Sequence, residues 1–281
     1  MTAVTERAAG LARVRRPARF RDLLAAEWLK LWSLRSTWGA LALLLLAMVG
    51  LAAHAALATR AGWADWPAER RAVRSPLWDA FPQQAQMFVV LAGSSIGAVA
   101  VGGEYASGLA RTTFAAVPRR RAVAAAKVVV LTGVLTVLGV LGAAAAFAVS
   151  QAILAGVGAG MSVGEPGALR GIAASALLIP LCALIGMALA ALTRHTAPAI
   201  VTAATVLLLL PTAVNEDERW SALLRHAMPV PAWQRLVEPG GPPPWMTDMY
   251  PATVSGAWTT YAVWAAVAAV VTVLALHRRD P

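Results

Sequence analysis

Residues 102–127 read GGEYASGLARTTFAAVPRRRAVAAAK, a polar and strongly basic stretch between two long apolar segments. The composition around it decides what kind of chain it belongs to. Of the 281 residues, 59% are hydrophobic and 14% are charged, and the mean hydropathy is +0.64. A soluble domain carries about 25% charged residues. The composition therefore predicts an all-α integral membrane protein.

Six apolar runs are long enough to cross a hydrocarbon core of about 30 Å. They cover residues 38–58, 84–102, 123–150, 171–192, 197–214 and 254–276. No run has a charged residue near its middle, where one would cost about 2.5 to 3.5 kcal/mol. We expect residues 20–281 to form a single transmembrane domain with six spans, after a mobile basic tail at residues 1–19.

The lysines and arginines predict the orientation of these spans. Six spans place both termini on one side, and sixteen of the 24 basic residues fall in segments on that side. Basic residues are enriched on the cytoplasmic side, so both termini and residues 102–127 are predicted to be cytosolic. Arg60, Arg70, Arg71 and Arg74 in the first outer loop oppose this orientation. We expect a bacterial plasma membrane protein.

The charge and cysteine content exclude other classes. A net charge of +10 is compatible with nucleic-acid binding, but the charges cluster between apolar runs, so no nucleic-acid partner is expected. Cys182 is the single cysteine and lies in an apolar run, which excludes an internal disulfide. Ala53-His54-Ala55 has the form of a secretory cleavage site, but the preceding run is longer than a signal core of about 7 to 15 residues. We therefore expect the first span to be retained.

The segment before the first span has the apolar period of a helix. Apolar residues fall close to one helical face, and Glu27 can pair with Lys30 at i, i+3. These apolar residues are Phe20, Leu23, Leu24, Trp28, Leu31 and Leu34. The pattern predicts an amphipathic helix on the inner membrane surface, in contact with lipid. The residues leave open whether its polar face also binds a partner.

A long outer loop at residues 215–253 precedes the sixth span. Asn215 is predicted to cap a short helix whose first turn holds Glu216, Asp217 and Glu218, near the positive end of the helix dipole. Pro229 and Pro231 are predicted to end this helix. The acidic residues could hold a cation, but the start of a solvated helix explains them more simply.

Residues 102–127 are predicted to contain a short helix of their own. Gly102 and Gly103 should end the second span, a helix from Glu104 to about Ala116 should follow, and Val117-Pro118 should turn the chain. A short cytosolic helix between spans can bind in a groove of another protein. It can equally be a basic loop that only sets the topology, and the residues alone leave both readings open.

Two blocks of sequence together resemble the membrane subunit of ABC-2 type ABC transporters, the six-span permeases of actinobacterial type. They are AEWLKLWSLRSTWGAL before the first span and GEYASGLARTTFAAVPRRRAVAAAK after the second. The similarity covers nearly the whole chain. Its most specific residues are Glu27, Trp28, Lys30, Leu34, Arg35, Ser36 and Thr37, then Gly103, Glu104, Tyr105, Gly108, Arg111, Thr112, Thr113, Pro118 and Arg119.

The resemblance implies a function and assigns residues to it. The loop after span two would be a coupling helix that contacts ATPase subunits, and the N-terminal helix with Glu27, Trp28, Lys30 and Arg35 would flank it. The coupling residues implied are Glu104, Tyr105, Gly108, Leu109, Arg111, Thr112, Thr113, Pro118 and Arg119. Two permease subunits, identical or different, would form the pathway for export of an amphipathic or apolar cargo. Spans one, two and five would line it, with His54, Ser94, Ser95, Thr202 and Thr205 as candidate polar groups.

This chain lacks the sequence signature of an ATPase. Lys30 and Lys127 are its only lysines, and neither follows a glycine, so it contains no G-x-x-x-x-G-K-[ST] phosphate-binding loop. We expect ATP and magnesium to be bound by a separate ATPase, and this chain to bind no cofactor or metal and to catalyse no reaction.

Two other function classes fit less well. The alternative is a secondary transporter or channel that works without an ATPase, but ion-coupled carriers usually place ionisable residues within the membrane. Gly93-Ser94-Ser95-Ile96-Gly97 resembles the nucleophile segment of an intramembrane serine protease. The same small residues are better explained as a seam along which two helices approach closely.

Overall fold

A computed structural model describes residues 19–33, 35–117, 119–214, 216, 218–238, 250 and 252–278. Within these ranges the chain is helical and contains no strand. Some predictions fall outside the described residues: most of the tail at 1–19, and the assignments to Leu34, Pro118, Asn215 and Asp217.

Six helical segments of the described chain are long and apolar enough to cross a membrane, as the sequence predicts. We number them span 1 to span 6: Arg35–Asp65, Leu77–Ala106, Arg120–Ala155, Ala168–Thr193, Thr196–Ala213 and Val254–His277. These are the features of a multi-pass membrane protein.

Several shorter elements join or extend the spans. The N-terminal helix, Phe20–Ser33, precedes span 1, and the connecting helix, Leu109–Ala116, lies between spans 2 and 3. Within span 1, Arg35–Gly62 is α-helical and Trp63–Asp65 is a 3₁₀ turn. The remaining short helices are Ala68–Val73 and Leu77–Ala80 before the main helix of span 2 (Gln83–Ala106), and Arg219–His226 and Pro229–Val237 before span 6.

Span 4 is the centre of the bundle. In its most apolar window 78% of the residues are buried, against 22 to 56% in the other spans. Glycines bring its neighbours close: a Cβ added to Gly97 of span 2 would lie 1.9 Å from the carbonyl oxygen of Ala183. A Cβ on Gly139 of span 3 would lie 2.1 Å from the carbonyl oxygen of Ala176. This is the close helix approach predicted for the Gly93–Gly97 seam.

Span 5 contains a wide turn. Its α-helix, Thr196–Ala204, passes into a π-helical segment, Thr205–Leu209, and then into Leu210–Ala213. Pro211 has no amide hydrogen to donate into the helix, so the regular ladder is broken next to it. Single π-helical turns within α-helices are frequent at functional sites.

The prediction for the end of span 2 is wrong. The helix does not end at Gly102 and Gly103 but continues to Ala106. A Cβ on Gly102 would lie 2.5 Å from the hydroxyl of Thr196, so this glycine serves the close contact with the start of span 5. The chain leaves the helix at Gly108, whose φ of 73° lies in the left-handed region that favours glycine. The following helix therefore begins at Leu109, not at Glu104.

The loop before span 6 also differs from its prediction. The helix there begins at Arg219, with Glu218 as its N-cap residue, whose amide donates to the hydroxyl of Ser221 at 3.3 Å. Pro229 does not end the structure but starts a second helix, Pro229–Val237. Proline suits a first helical position, because the amide there has no partner within the helix.

Candidate functional site at the basic end of the bundle

One end of the bundle, which we call the basic end, carries the N-terminal helix, the connecting helix and the start of span 3. Arg119, Arg120 and Arg121 lie here, directly after the connecting helix. The other end, with residues 63–82 and the two short helices before span 6, is the opposite end. The described residues that the resemblance assigns to coupling belong to the basic end.

Four charged side chains at the basic end form a closed cluster, the four-charge cluster. Lys127 Nζ lies 2.6 Å from Glu27 Oε2 and 2.8 Å from Glu104 Oε1. Lys30 Nζ lies 2.7 Å from Glu27 Oε1 and 3.1 Å from Glu104 Oε1. The cluster thus joins the N-terminal helix, the last turn of span 2 and span 3.

The four-charge cluster is largely withdrawn from solvent. Glu27 is 6% and Lys127 is 7% exposed. Burial alone would raise the pKa of Glu27, but the charges and hydrogen bonds of Lys127 and Lys30 outweigh it and hold this pKa below its ordinary value. Burial alone would lower the pKa of Lys30, but bonds to Glu27 and the charge of Glu104 raise it above its ordinary value. Both shifts favour the ionised forms.

A small apolar core supports the cluster from one side. Leu23 of the N-terminal helix packs with Val123 and Ala126 of span 3, apart from the main core. The buried face of the N-terminal helix therefore carries Leu23 and Glu27, which are four residues apart. Trp28 and Leu29 are exposed. The sequence predicts a helix here, and the structure has one at Phe20–Ser33, but its protein-facing side carries a charge that the apolar pattern does not indicate.

A groove separates the N-terminal helix from the connecting helix. Its volume is about 310 Å³, and Thr112, Thr113 and Ala116 line one side while Leu23, Glu27 and Lys30 line the other. The outer surface of the connecting helix remains exposed, with Leu109 at 42% and Arg111 also exposed. A mixed apolar and basic surface of this kind can receive a segment of another protein.

The structure distributes the described residues among the predicted coupling residues over the end of span 2, the turn at Gly108, the connecting helix and the start of span 3. Glu104 and Tyr105 belong to the last turn of span 2, where Glu104 lies in the four-charge cluster and Tyr105 packs against the main core. Gly108 forms the turn before the connecting helix. Leu109, Arg111, Thr112 and Thr113 lie on that helix, and Arg119 is exposed just before span 3.

The residues predicted to flank the coupling helix separate into two groups. Glu27 and Lys30 lie in the four-charge cluster, whereas Trp28 is exposed and contacts Trp32 with ring centroids 5.2 Å apart. Arg35 is exposed at the first residue of span 1.

The five candidate pathway residues do not form one site in the described chain. Ser94 is fully buried against span 4 and donates to the carbonyl of Val90 at 2.7 Å, whereas Ser95 is half-buried. Thr202 and Thr205 are exposed on span 5, and Thr205 donates to the carbonyl of Val201 at 2.9 Å. His54 is exposed and lines a cavity at the opposite end.

Lys127 is the member of the cluster that sequence reasoning missed. The signal was present, since only two of the 24 basic residues are lysines and both lie in the cluster. A lysine ammonium is a compact charge with three donors and can bridge two carboxylates. The planar guanidinium of arginine favours a bidentate pair instead.

The acidic residues of the outer loop form contacts other than a metal site. Glu216 pairs with Arg225 at 2.9 Å and lies 3.5 Å from His226 Nε2. Among the residues that the structure describes, no three side chains of histidine, cysteine, aspartate or glutamate are grouped as metal ligands.

Comparison with known proteins does not assign the chain to a family. No protein-family model matches it, and no match is found among curated protein sequences.

Proposed function

We propose that this chain is the permease subunit of an ATP-driven exporter of the ABC-2 type. It would pair with a second permease subunit to form the pathway and would bind separate ATPase subunits at its basic end. The proposal rests on the resemblance of the two sequence blocks and on the arrangement of the residues that carry it.

The observation that carries the proposal is the four-charge cluster beside an exposed connecting helix. Eight residues, Leu109–Ala116, form a helix whose neighbours on both sides are tied together by buried ion pairs. Force applied to the connecting helix would reach spans 2 and 3 and the N-terminal helix together, because Glu104 and Lys127 link them. A basic loop that only sets the membrane topology would not need such a linkage between helices.

Span 5 supports a pathway between two subunits. Its apolar window is 22% buried, compared with 28% for spans 1, 3 and 6, and Val201, Leu209 and Leu210 are exposed large side chains on it. A second permease subunit or lipid would cover this face. Because Thr202 and Thr205 are also exposed there, the face offers polar groups to an amphipathic cargo.

Purification from the native host tests the proposal. The chain should bring down a cytosolic protein that contains a phosphate-binding loop, and Arg111→Glu should reduce the recovered amount about tenfold, since an interface charge reversal removes more than about 1.4 kcal/mol. Arg219→Glu is the matched control, because Arg219 is exposed at the opposite end. Equal recovery with both variants would contradict the proposal.

Reconstitution separates the permease from a carrier or channel. The purified chain in liposomes should transport nothing unless the ATPase and ATP are added. Transport by the isolated chain would reject the permease assignment and support a secondary transporter or channel.

The orientation requires its own test. A cysteine at Arg121 should react with an impermeant maleimide only from the cytosolic side, and a cysteine at Trp220 only from outside. Cys182 is buried and gives little background. Labelling of Arg121→Cys from outside would overturn the proposed orientation.

A further inference from the structure

We propose that an open cavity at the opposite end binds an acidic amphiphile, meaning a phosphate or carboxylate head on an apolar body. The described residues enclose a cavity of about 1080 Å³ there. Small-molecule sites span about 300 to 1,000 Å³, so the volume suits a lipid headgroup or a ligand of similar size. Residues of span 1 and of the segment 66–84 form one wall, and Glu216, residues within 225–238 and Ala252 complete the lining.

Arginines and tryptophans lie together in the first wall. The guanidinium of Arg70 stands 4.0 Å from the ring centroid of Trp66. That of Arg74 lies 5.7 Å from Trp66 and 5.6 Å from Trp78. The cation–π contact of Arg70 holds its guanidinium against the ring of Trp66 and leaves the edge of that guanidinium to donate to an anion.

Asp79 and Glu216, two of the acidic side chains that line the cavity, are paired with basic groups. Asp79 is paired with Arg74 and accepts a hydrogen bond from Thr59 at 2.8 Å. Glu216 contacts Arg225 and His226.

Arg70 differs from these residues, because no carboxylate of the described chain lies within ion-pair distance of it. The cavity lining has four arginines and three carboxylates, which leaves an excess of one positive charge. The arginines are Arg70, Arg74, Arg225 and Arg235, and the carboxylates are Asp79, Glu216 and Glu238. The cavity is therefore suited to an anionic head at Arg70.

The apolar part of the ligand has a surface to lie on. Leu51, Ala55 and Ala58 line the cavity and follow one face of span 1 at i, i+4 and i+7. This face continues from the apolar interior of the span towards the cavity wall that carries Arg70. A ligand with its body along span 1 and its head at Arg70 satisfies both surfaces.

Binding of an acidic amphiphile at the opposite end does not depend on the proposed function. The two statements fail separately. Loss of binding would leave ATPase association at the basic end unaffected, and loss of ATPase association would leave binding intact.

Isothermal titration calorimetry of the full chain in phosphatidylcholine nanodiscs tests the site. Dihexanoyl phosphatidic acid should bind at least about tenfold more tightly than dihexanoyl phosphatidylcholine or inorganic phosphate, as expected for one charge-assisted contact. Arg70→Gln should weaken this binding about tenfold, and Arg70→Lys, which keeps the charge, should weaken it less. Arg219→Gln, an equal change of charge at the same end, should have no effect.

Three results would overturn the proposal. They are equal binding of phosphatidic acid and phosphatidylcholine, equal loss in Arg70→Gln and Arg219→Gln, and binding of inorganic phosphate as tight as that of the lipid. The last result would leave a phosphate site in place of an amphiphile site. Arg70 is exposed in a short surface helix, so its variants are expected to fold normally, which the melting temperature checks.

Discussion

The two ends of the bundle use charged residues in different ways. At the basic end, Glu27, Lys30, Glu104 and Lys127 come from three elements that are distant in sequence and bond to one another in a largely buried cluster. At the opposite end, arginines and carboxylates line an open cavity, and the pair of Arg74 and Asp79 joins residues only five apart.

This difference indicates different roles. A buried cluster whose charges all have partners fixes the relative position of the helices that supply them, since separating them would leave unpaired charges in a poorly solvated site. In the open cavity, the guanidinium of Arg70 has no ion-pair partner among the described residues and can contact another molecule. The basic end is built to hold three elements together, and the opposite end to receive a ligand.

Removal of Lys127 should have the largest effect. Lys127→Met leaves the buried carboxylate of Glu27 without its closest partner, and breaking a buried ion pair costs about 3 to 5 kcal/mol. The free energy of unfolding in detergent measures the loss. In the double variant Glu27→Leu with Lys127→Met, both partners are removed and much of the loss should be recovered. A loss below about 1 kcal/mol in the single variant would contradict a stabilising cluster.

Spans 2 and 4 are in close contact at Gly97, and Gly97→Ala should break this contact. The added Cβ would lie 1.9 Å from the carbonyl oxygen of Ala183, so the helices must move apart. We expect a loss of about 3 kcal/mol, at the upper end of the usual cost of overpacking. Gly133→Ala in span 3 is the control, because nothing lies within 4 Å of its added Cβ. Equal melting temperatures of the two variants would refute the close contact.

Asp79→Asn should have a smaller effect on stability than Lys127→Met. Asp79 is buried, but its partner Arg74 keeps access to solvent and can be hydrated, so we expect a loss of about 1 to 2 kcal/mol. The substitution also removes a negative charge from the cavity and should tighten binding of dihexanoyl phosphatidic acid. If Asp79→Asn lowers the stability and also weakens binding of dihexanoyl phosphatidic acid, the result would argue against a positively charged site for an anionic ligand.

The smallest effect is expected from pH at the basic end. The depressed pKa of Glu27 gives stability that is present above its unfolded value of about 4.5 and lost as the pH falls through the folded value. The raised pKa of Lys30 gives stability that is present below about 10.5 and lost as the pH rises through the folded value. Docking of the N-terminal helix should therefore stay constant between about pH 5 and 10. The mobility of a dye on Ser33→Cys measures it, and a transition near neutral pH would contradict this assignment.

The sequence predicts the fold better than it predicts the site. Long apolar runs determine the number of spans, and Gly97 and its neighbours indicate where two helices meet. The sequence pattern cannot distinguish a glycine that ends a helix from one that permits close contact between helices. The predicted end of span 2 at Gly102 and Gly103 is wrong for this reason. That distinction depends on Thr196, a residue distant in sequence.

The four-charge cluster was only partly predictable for the same reason. The pair of Glu27 and Lys30 follows from helical spacing, since the two residues are three apart. The contacts of Lys127 with Glu27 and Glu104 span 100 and 23 residues, and no local pattern specifies them. The cavity at the opposite end is assembled from residues 51 to 252 and left no sequence signal of its own.

A photo-crosslinker at Ala115 tests the central proposal most directly. Ala115 is exposed on the connecting helix, and Ala64, exposed at the opposite end, is the matched control position. In native-host membranes, Ala115→benzoylphenylalanine should cross-link this chain to a protein whose peptides include a G-x-x-x-x-G-K-[ST] sequence, and the Ala64 variant should not. Absence of that product from Ala115, or equal capture from Ala64, would contradict the assignment of the connecting helix as the site of ATPase coupling.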